Sequence, residues 1–471
     1  MIGFLARSER ARTAVFYIVS IVGVVVAFRA LCDTGASLTP SHAQVASVGA
    51  KGPAKFDALP HVLIALLTIM VAARLIGGLF RYLRQPAVIG EVIAGIVLGP
   101  SLLGSVAPEV ASALLPAQVT PFLGVIAQVG VILFMFTVGL ELDTTLLRQR
   151  THATVAVSHA SIMLPFLLGG CLALYLYPRL ASDHVPFTTF ALFIGVSMSV
   201  TAFPVLARIL TDRGLSRSPL GVVALTCAAI DDVTAWCLLS FVIGFVKAES
   251  GSGVYIAARS LVYVAVMLAV VRPLLVRLAR AQERREHVAQ DAVAVLLALL
   301  LASALMTEWI GIHALFGAFL VGAIVPHDSR LAHQIQEKLR DVVVVFLLPA
   351  FFAFTGLRTQ ISLVSGIDEW LICALIIVVA SAGKFGGSLI AGRITQMTWH
   401  DASALGILMN TRGLVELIVL NIGYDLGIIS PTLFAMLVIM ALVTTAATTP
   451  ILDLITRRER VASEAAKFAV S

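Results

Sequence analysis

The chain has 471 residues, of which 59% are hydrophobic and 13% charged, with a formal net charge of +6. Soluble domains are roughly 45–50% apolar and about 25% charged, and soluble cores stop growing near ~250–300 residues. The apolar excess therefore belongs in a bilayer, and a water-soluble enzyme is excluded. Nucleic acid is excluded as a partner too, because Lys and Arg fall in short loops between apolar runs, where they orient helices. The cysteines Cys32, Cys171, Cys227, Cys237 and Cys373 are scattered, with no CxxC or Cys/His ligand spacing. They read as buried small hydrophobes, and no metal cofactor or other cofactor is implied.

A spanning helix needs about 20 mostly apolar residues. Runs of that size occur near 14–31, 58–80, 86–104, 118–142, 152–178, 187–210, 217–246, 254–272, 289–307, 310–326, 342–358, 366–394, 402–424 and 431–455. With the N-terminus inside, every second loop is basic: RYLRQ, TTLLRQRTH, TDRGLSRSP, VRPLLVRLARAQERREH, RLAHQIQEKLRD, the stretch around Arg393, and TRRER. An even number of spans with both ends cytoplasmic satisfies that alternation. Residues 1–57 read as a first transmembrane segment, or a signal peptide over 1–35, plus an external loop. Residues 58–455 form a transmembrane domain of about 13 helices, and 456–471 a short cytoplasmic tail. No loop is long enough for a folded module, so the chemistry is expected inside the bilayer.

A charge at a helix centre costs about 2.5–3.5 kcal/mol on insertion scales. The run SPLGVVALTCAAIDDVTAWCLLSFVIGFV carries two, Asp231 and Asp232, side by side near its middle. Adjacent helix positions diverge by about 100°, so one carboxylate can face a cavity while the other meets a partner. Lys384, the one charge deep in LICALIIVVASAGKFGGSLIAG, is that partner, and pairing lowers the cost for both ions. A purely structural pair is the bland alternative.

Two spans look interrupted. SMSVTAFPVLARIL sets Ser197, Ser199, Thr201 and Pro204 in an apolar run, and LMNTRGLVELIVL sets Asn410, Thr411, Arg412 and Gly413 before Glu416. Proline removes a donor and clashes with the preceding turn, freeing carbonyls that can coordinate a cation. As spans six and thirteen the two run in opposite directions, and discontinuous helices at matching places of inverted halves point to a midplane ion site. A plain proline kink with an Arg412–Glu416 i,i+4 pair is the alternative. Elsewhere, Gly90, Gly95 and Gly99 are spaced for close helix packing. Glu91, Glu141 and Asp143 lie near inner helix ends, and His313 reads as a satisfied polar residue.

Eight strings in order between about residues 60 and 455 resemble the second family of monovalent cation:proton antiporters, which includes bacterial sodium/proton exchangers and Kef-type potassium systems. They are QPAVIGEVIAGIVLGPSLLG, ILFMFTVGLELD, SVTAFPVLARIL, AAIDDVTAWCLL, GIHALFGAFLVGAIVP, FLLPAFFAFTGLR, GKFGG and MNTRGLVELIVLNIG. TAFPVLARIL and DDVTAWCLL look especially like the bacterial relatives of plant cation/proton exchangers. The resemblance implies an all-α integral membrane protein of the NhaA type, with inverted repeats and two crossing discontinuous helices holding Thr201 and Asn410–Gly413. It implies a core moving against a dimerisation domain, a homodimer, and a place in the cell inner membrane.

By the same resemblance Asp232 is the acid that binds the transported Na+ or K+, and Asp231 pairs with Lys384; the mechanism expected from these residues adds that cation binding breaks that pair and Lys384 gives up a second proton. Thr201 assists, with Ser199, Pro204, Asn410, Arg412 and Glu416 in support. An Asp-Asp pair implies an electrogenic exchanger. A sodium-coupled organic-solute symporter of the same fold and an electroneutral K+/H+ exchanger are the alternatives. A channel or an intramembrane protease fits less well, since both acids sit on one span.

Overall fold

The computed structural model describes residues 19, 23–35, 58–83, 85–141, 152–182, 185–215, 218–248, 253–283 and 289–470. Residues 14–18 and 20–22 of the first expected span, most of the leader reading over 1–35, residues 36–57 of the loop before residue 58, Asp143 and most of TTLLRQRTH lie outside them.

The described residues form helices α1 (Ala58–Tyr82), α2 (Ala87–Leu98), α3 (Thr120–Glu141), α4 (His152–Leu180), α5 (Phe187–Ser199), α6 (Phe203–Asp212) and α7 (Pro219–Ala248). Next come α8 (Gly253–Val266), α9 (Arg272–Glu283), α10 (Gln290–Ile310), α11 (Ala314–Ile324), α12 (Arg330–Asp341) and α13 (Leu348–Arg358). The last four are α14 (Gly366–Ile394), α15 (Trp399–Met409), α16 (Leu414–Asp425) and α17 (Pro431–Val470), which continues through the segment expected as a tail. Five-residue and six-residue π-helical stretches join α8 to α9 and α12 to α13. Among the described residues, eleven helical stretches are long and apolar enough to cross a bilayer, and the bent pair α15–α16 would make a twelfth. The protein is a multi-pass membrane protein, and its described residues are all-α apart from one isolated bridge between Ala181 and Ile429.

The chain divides into two compact units interleaved in sequence. The first takes Met1–Val45, Leu147–Ala235 and Leu363–Ser471; the second takes Ala46–Leu146 and Trp236–Ser362. In the second unit, glycines let backbones touch. A Cβ at Gly95 would overlap the Ala353 carbonyl of α13, one at Gly139 the Phe319 carbonyl of α11, and one at Gly322 the Phe136 carbonyl of α3. A Cβ at Gly90 would lie 2.8 Å from the Gly77 Cα of α1, so the expected glycine spacing serves two neighbours of α2. His313 caps α11, its Nδ1 accepting from the Leu315 N–H at 3.4 Å.

In the first unit the same device places chemistry. Gly383 and Gly387 flank Lys384, and a Cβ at either would run into α4, at Pro165 and at the Ala160 carbonyl. Glycine at these two positions brings α14 against α4 and carries Lys384 into the interior.

Candidate functional site

Both interruptions lie in the first unit and have local causes. Pro204 has no N–H for the Val200 carbonyl, and its ring would clash there, so α5 stops at Ser199 and residues 200–202 run extended into α6. The second break bends α15 from α16 by 42° around Asn410–Gly413. The two extended stretches touch where the Ala202 N–H donates to the Thr411 carbonyl at 3.0 Å. A helix break strands backbone donors and acceptors; here each stretch satisfies part of the other's need.

Around this contact lie the five fully buried charged residues found among the described ones: Asp231, Asp232, Lys384, Arg412 and Glu416. Helix α7 turns its two acids apart. The Asp231 carboxylate accepts from Ser158 (2.8 Å), Ser161 (2.6 Å), Thr201 (3.0 Å) and the Lys384 ammonium (3.1 Å). Lys384 is also 2.5 Å from Thr201 Oγ1. Asp232 differs entirely: the Phe203 N–H at the start of α6 bears on its carboxylate, yet neither oxygen has a hydrogen-bond partner among the described residues. The positive end of a helix backbone favours an anion placed there.

Arg412 ties the second break to the first. Its guanidinium donates to the carbonyls of Ser197 and Met198 (both 2.8 Å), in the last turn of α5, and to Glu416 (3.0 Å) in the first turn of α16. Thr445 holds its backbone, donating to the Arg412 carbonyl at 2.7 Å and accepting from its N–H at 3.1 Å. A cation thus faces the negative end of α5 and an anion the positive end of α16, the arrangement a helix dipole favours.

Of the other expected residues, Pro204 sits in the first turn of α6, and Ser199 bonds the Gly195 and Ile162 carbonyls at 2.7 and 3.0 Å, away from the acids. Asn410 reaches Ser381 at 3.4 Å. Glu141 lies in the other unit and accepts from Gln336 at 2.6 Å. Sequence reasoning missed Ser158 and Ser161. Their signal is two serines three apart, on one helix face, within the apolar VAVSHASIML.

Two interrupted helices that touch at their breaks within a helical, multi-pass chain are the arrangement of a membrane transporter. The transmembrane sodium/hydrogen exchanger family matches residues 64–455, and the chain belongs to that family. It is a secondary cation/proton antiporter. It is 43% identical to Na(+)/H(+) antiporter NhaS4 of Synechocystis, over 83% of this chain and 96% of that protein. Identity to K(+)/H(+) antiporter 1 of Saccharomyces cerevisiae is 34%, over 82% of this chain but 45% of that longer protein. The solved sodium proton antiporter MjNhaP1 of Methanocaldococcus jannaschii has the same fold, with TM-score 0.59 at 14% identity, covering 84% of this chain and 96% of that one.

Proposed function

We propose that Asp232 is the loading point shared by a proton and a monovalent cation, Na+ or K+, in an electrogenic exchange by alternating access. The observation that carries this is a charge count. Among the described residues, three buried carboxylates stand against two buried cations, leaving one negative charge uncompensated. Glu416 is paired with Arg412 and Asp231 with Lys384, so the surplus falls on Asp232, the acid with both oxygens unpartnered. A buried charge without a counter-charge is expensive. One H+ or one alkali cation neutralises it equally, and the two compete for the same oxygens. The relatives' names support both cations, one being called a Na+/H+ and the other a K+/H+ antiporter.

Lys384 decides the electrical character. While it stays charged, the proton-loaded and cation-loaded forms carry the same charge and exchange is electroneutral. When cation entry makes Lys384 leave Asp231 and give up its proton, two protons move per cation. The net charge moved is then worth about 2.3 kcal/mol per 100 mV. The basic loops support a cell inner membrane orientation with both termini cytoplasmic. Residues 58–455 are the transporting domain, in a homodimer.

Proton flux in proteoliposomes, driven by added NaCl, KCl or LiCl with the potential clamped or free, tests this. Asp232→Asn is expected to abolish exchange with every cation; full exchange by that variant would refute the assignment. Lys384→Gln is expected to remove the voltage dependence and leave electroneutral exchange.

A further inference from the structure

We propose that Ser158 and Ser161, on the unbroken helix α4, are positioning residues that hold the Asp231 charge while Lys384 changes partner. This rests on the reading of Lys384 given above and deepens it.

The difficulty that reading creates is plain. If Lys384 leaves, Asp231 is a carboxylate at 0% exposure, and a buried acceptor stripped of its donor loses its whole compensation. The geometry answers it. Asp231 has four donors, and the ammonium is the most distant of them at 3.1 Å. Oδ1 belongs to Ser158, and Oδ2 takes Ser161 and Thr201 together with the lysine.

Serines inside a helix usually return their proton to a carbonyl one turn back. Ser161 has that acceptor, the Ser158 carbonyl at 2.8 Å, yet lies nearer the carboxylate at 2.6 Å. Thr201 is less dependable, since its single proton is shared between Asp231 and the Met409 carbonyl at 3.2 Å while it also accepts from Lys384. The two serines are therefore the donors whose supply does not change when the broken helices or the lysine rearrange.

The charged groups facing Lys384 are Asp231 from α7, Arg412 from the second break and Glu416 from α16. Asp231 in turn faces Asp232 and Cys227 on its own helix. With the serines gone, the ammonium becomes the main partner of Asp231 and its proton is released less readily. The acidic limb of the exchange profile, where proton release limits the rate, then moves to higher pH.

The experiment is NaCl-driven and KCl-driven proton flux against pH in proteoliposomes of the full chain. It uses Ser158→Ala, Ser161→Ala, Ser161→Thr and Lys384→Gln, alone and with Ser161→Ala. Thermal unfolding in detergent selects the folded variants. Each alanine is expected to move the acidic limb up by about one pH unit, tenfold in proton activity. Ser161→Thr, which keeps the hydroxyl, restores the wild-type limb. In the Lys384→Gln background Ser161→Ala lowers the rate without moving the limb, because the lysine proton is no longer there.

A wild-type limb with only a lower amplitude in both alanine variants overturns the proposal, as does Ser161→Thr behaving like Ser161→Ala. The underlying reading fails separately: if Lys384→Gln keeps both the wild-type limb and the voltage response, the lysine is not the second proton carrier. If it changes them and the serine variants do not, only the serine assignment falls.

Discussion

The two units of this chain are built from the same apolar, helical material and use it differently. Among the described residues, the first unit buries five charged side chains and the second buries none. The acids Glu91, Glu141 and Glu308 of the second unit keep contact with the surface. Both units bring helices into backbone contact through glycine, at Gly139 and Gly322 in one and at Gly383 and Gly387 in the other. In the second unit that contact gives packing alone, whereas in the first it delivers a lysine to a pair of acids. Close packing is thus common to both units among the described residues, and buried charge is what separates the first from the second.

The comparison is tested most severely at Asp232. Asp232→Asn should lose all exchange while its unfolding midpoint stays level or rises, because it removes a charge that has no partner. A large loss of stability would mean that the charge is structural. Arg412→Ala comes next. It strands Glu416 and two carbonyls at full burial, and breaking a buried pair costs about 3–5 kcal/mol. Chemical or thermal denaturation in detergent would measure it. The smallest effect belongs to the second unit: Gly139→Ala sets a methyl against the α11 backbone, and overpacking costs about 1–3 kcal/mol. Its exchange rate per folded molecule should match the wild type. A changed cation preference in that variant would dissolve the distinction between the units.

Much of the site was readable in advance because charge in an apolar run is rare and must be answered. Asp231, Asp232 and Lys384 stand out for that reason, and the 100° step between neighbouring helix residues foretells that the two acids part company. Pro204 and the Asn410–Gly413 stretch announce their interruptions through clustered polar and helix-breaking residues, since a proline alone does not end a span: α4 runs on through Pro165 and Pro178. Ser158 and Ser161 were not readable in the same way. A serine in a spanning helix can satisfy itself on its own backbone, so its presence carries no charge to be explained.

Sequence alone determined the solvent, the helical class, the interrupted spans and the acids and lysine that a bilayer would not tolerate unpaired. These follow from local physics: hydropathy over a span's length, the missing N–H of proline, and the cost of a lone ion. Tertiary structure decided which acid each cation meets, that Arg412 reaches back to the last turn of α5, that two serines from α4 complete the Asp231 shell, and that Asp232 is the acid left over. Those outcomes depend on contacts between residues as far apart as 215 positions in the chain. Such contacts are set by how glycine-lined helices approach one another: the sequence marks the glycines, but which helices meet at them is not written in any local pattern.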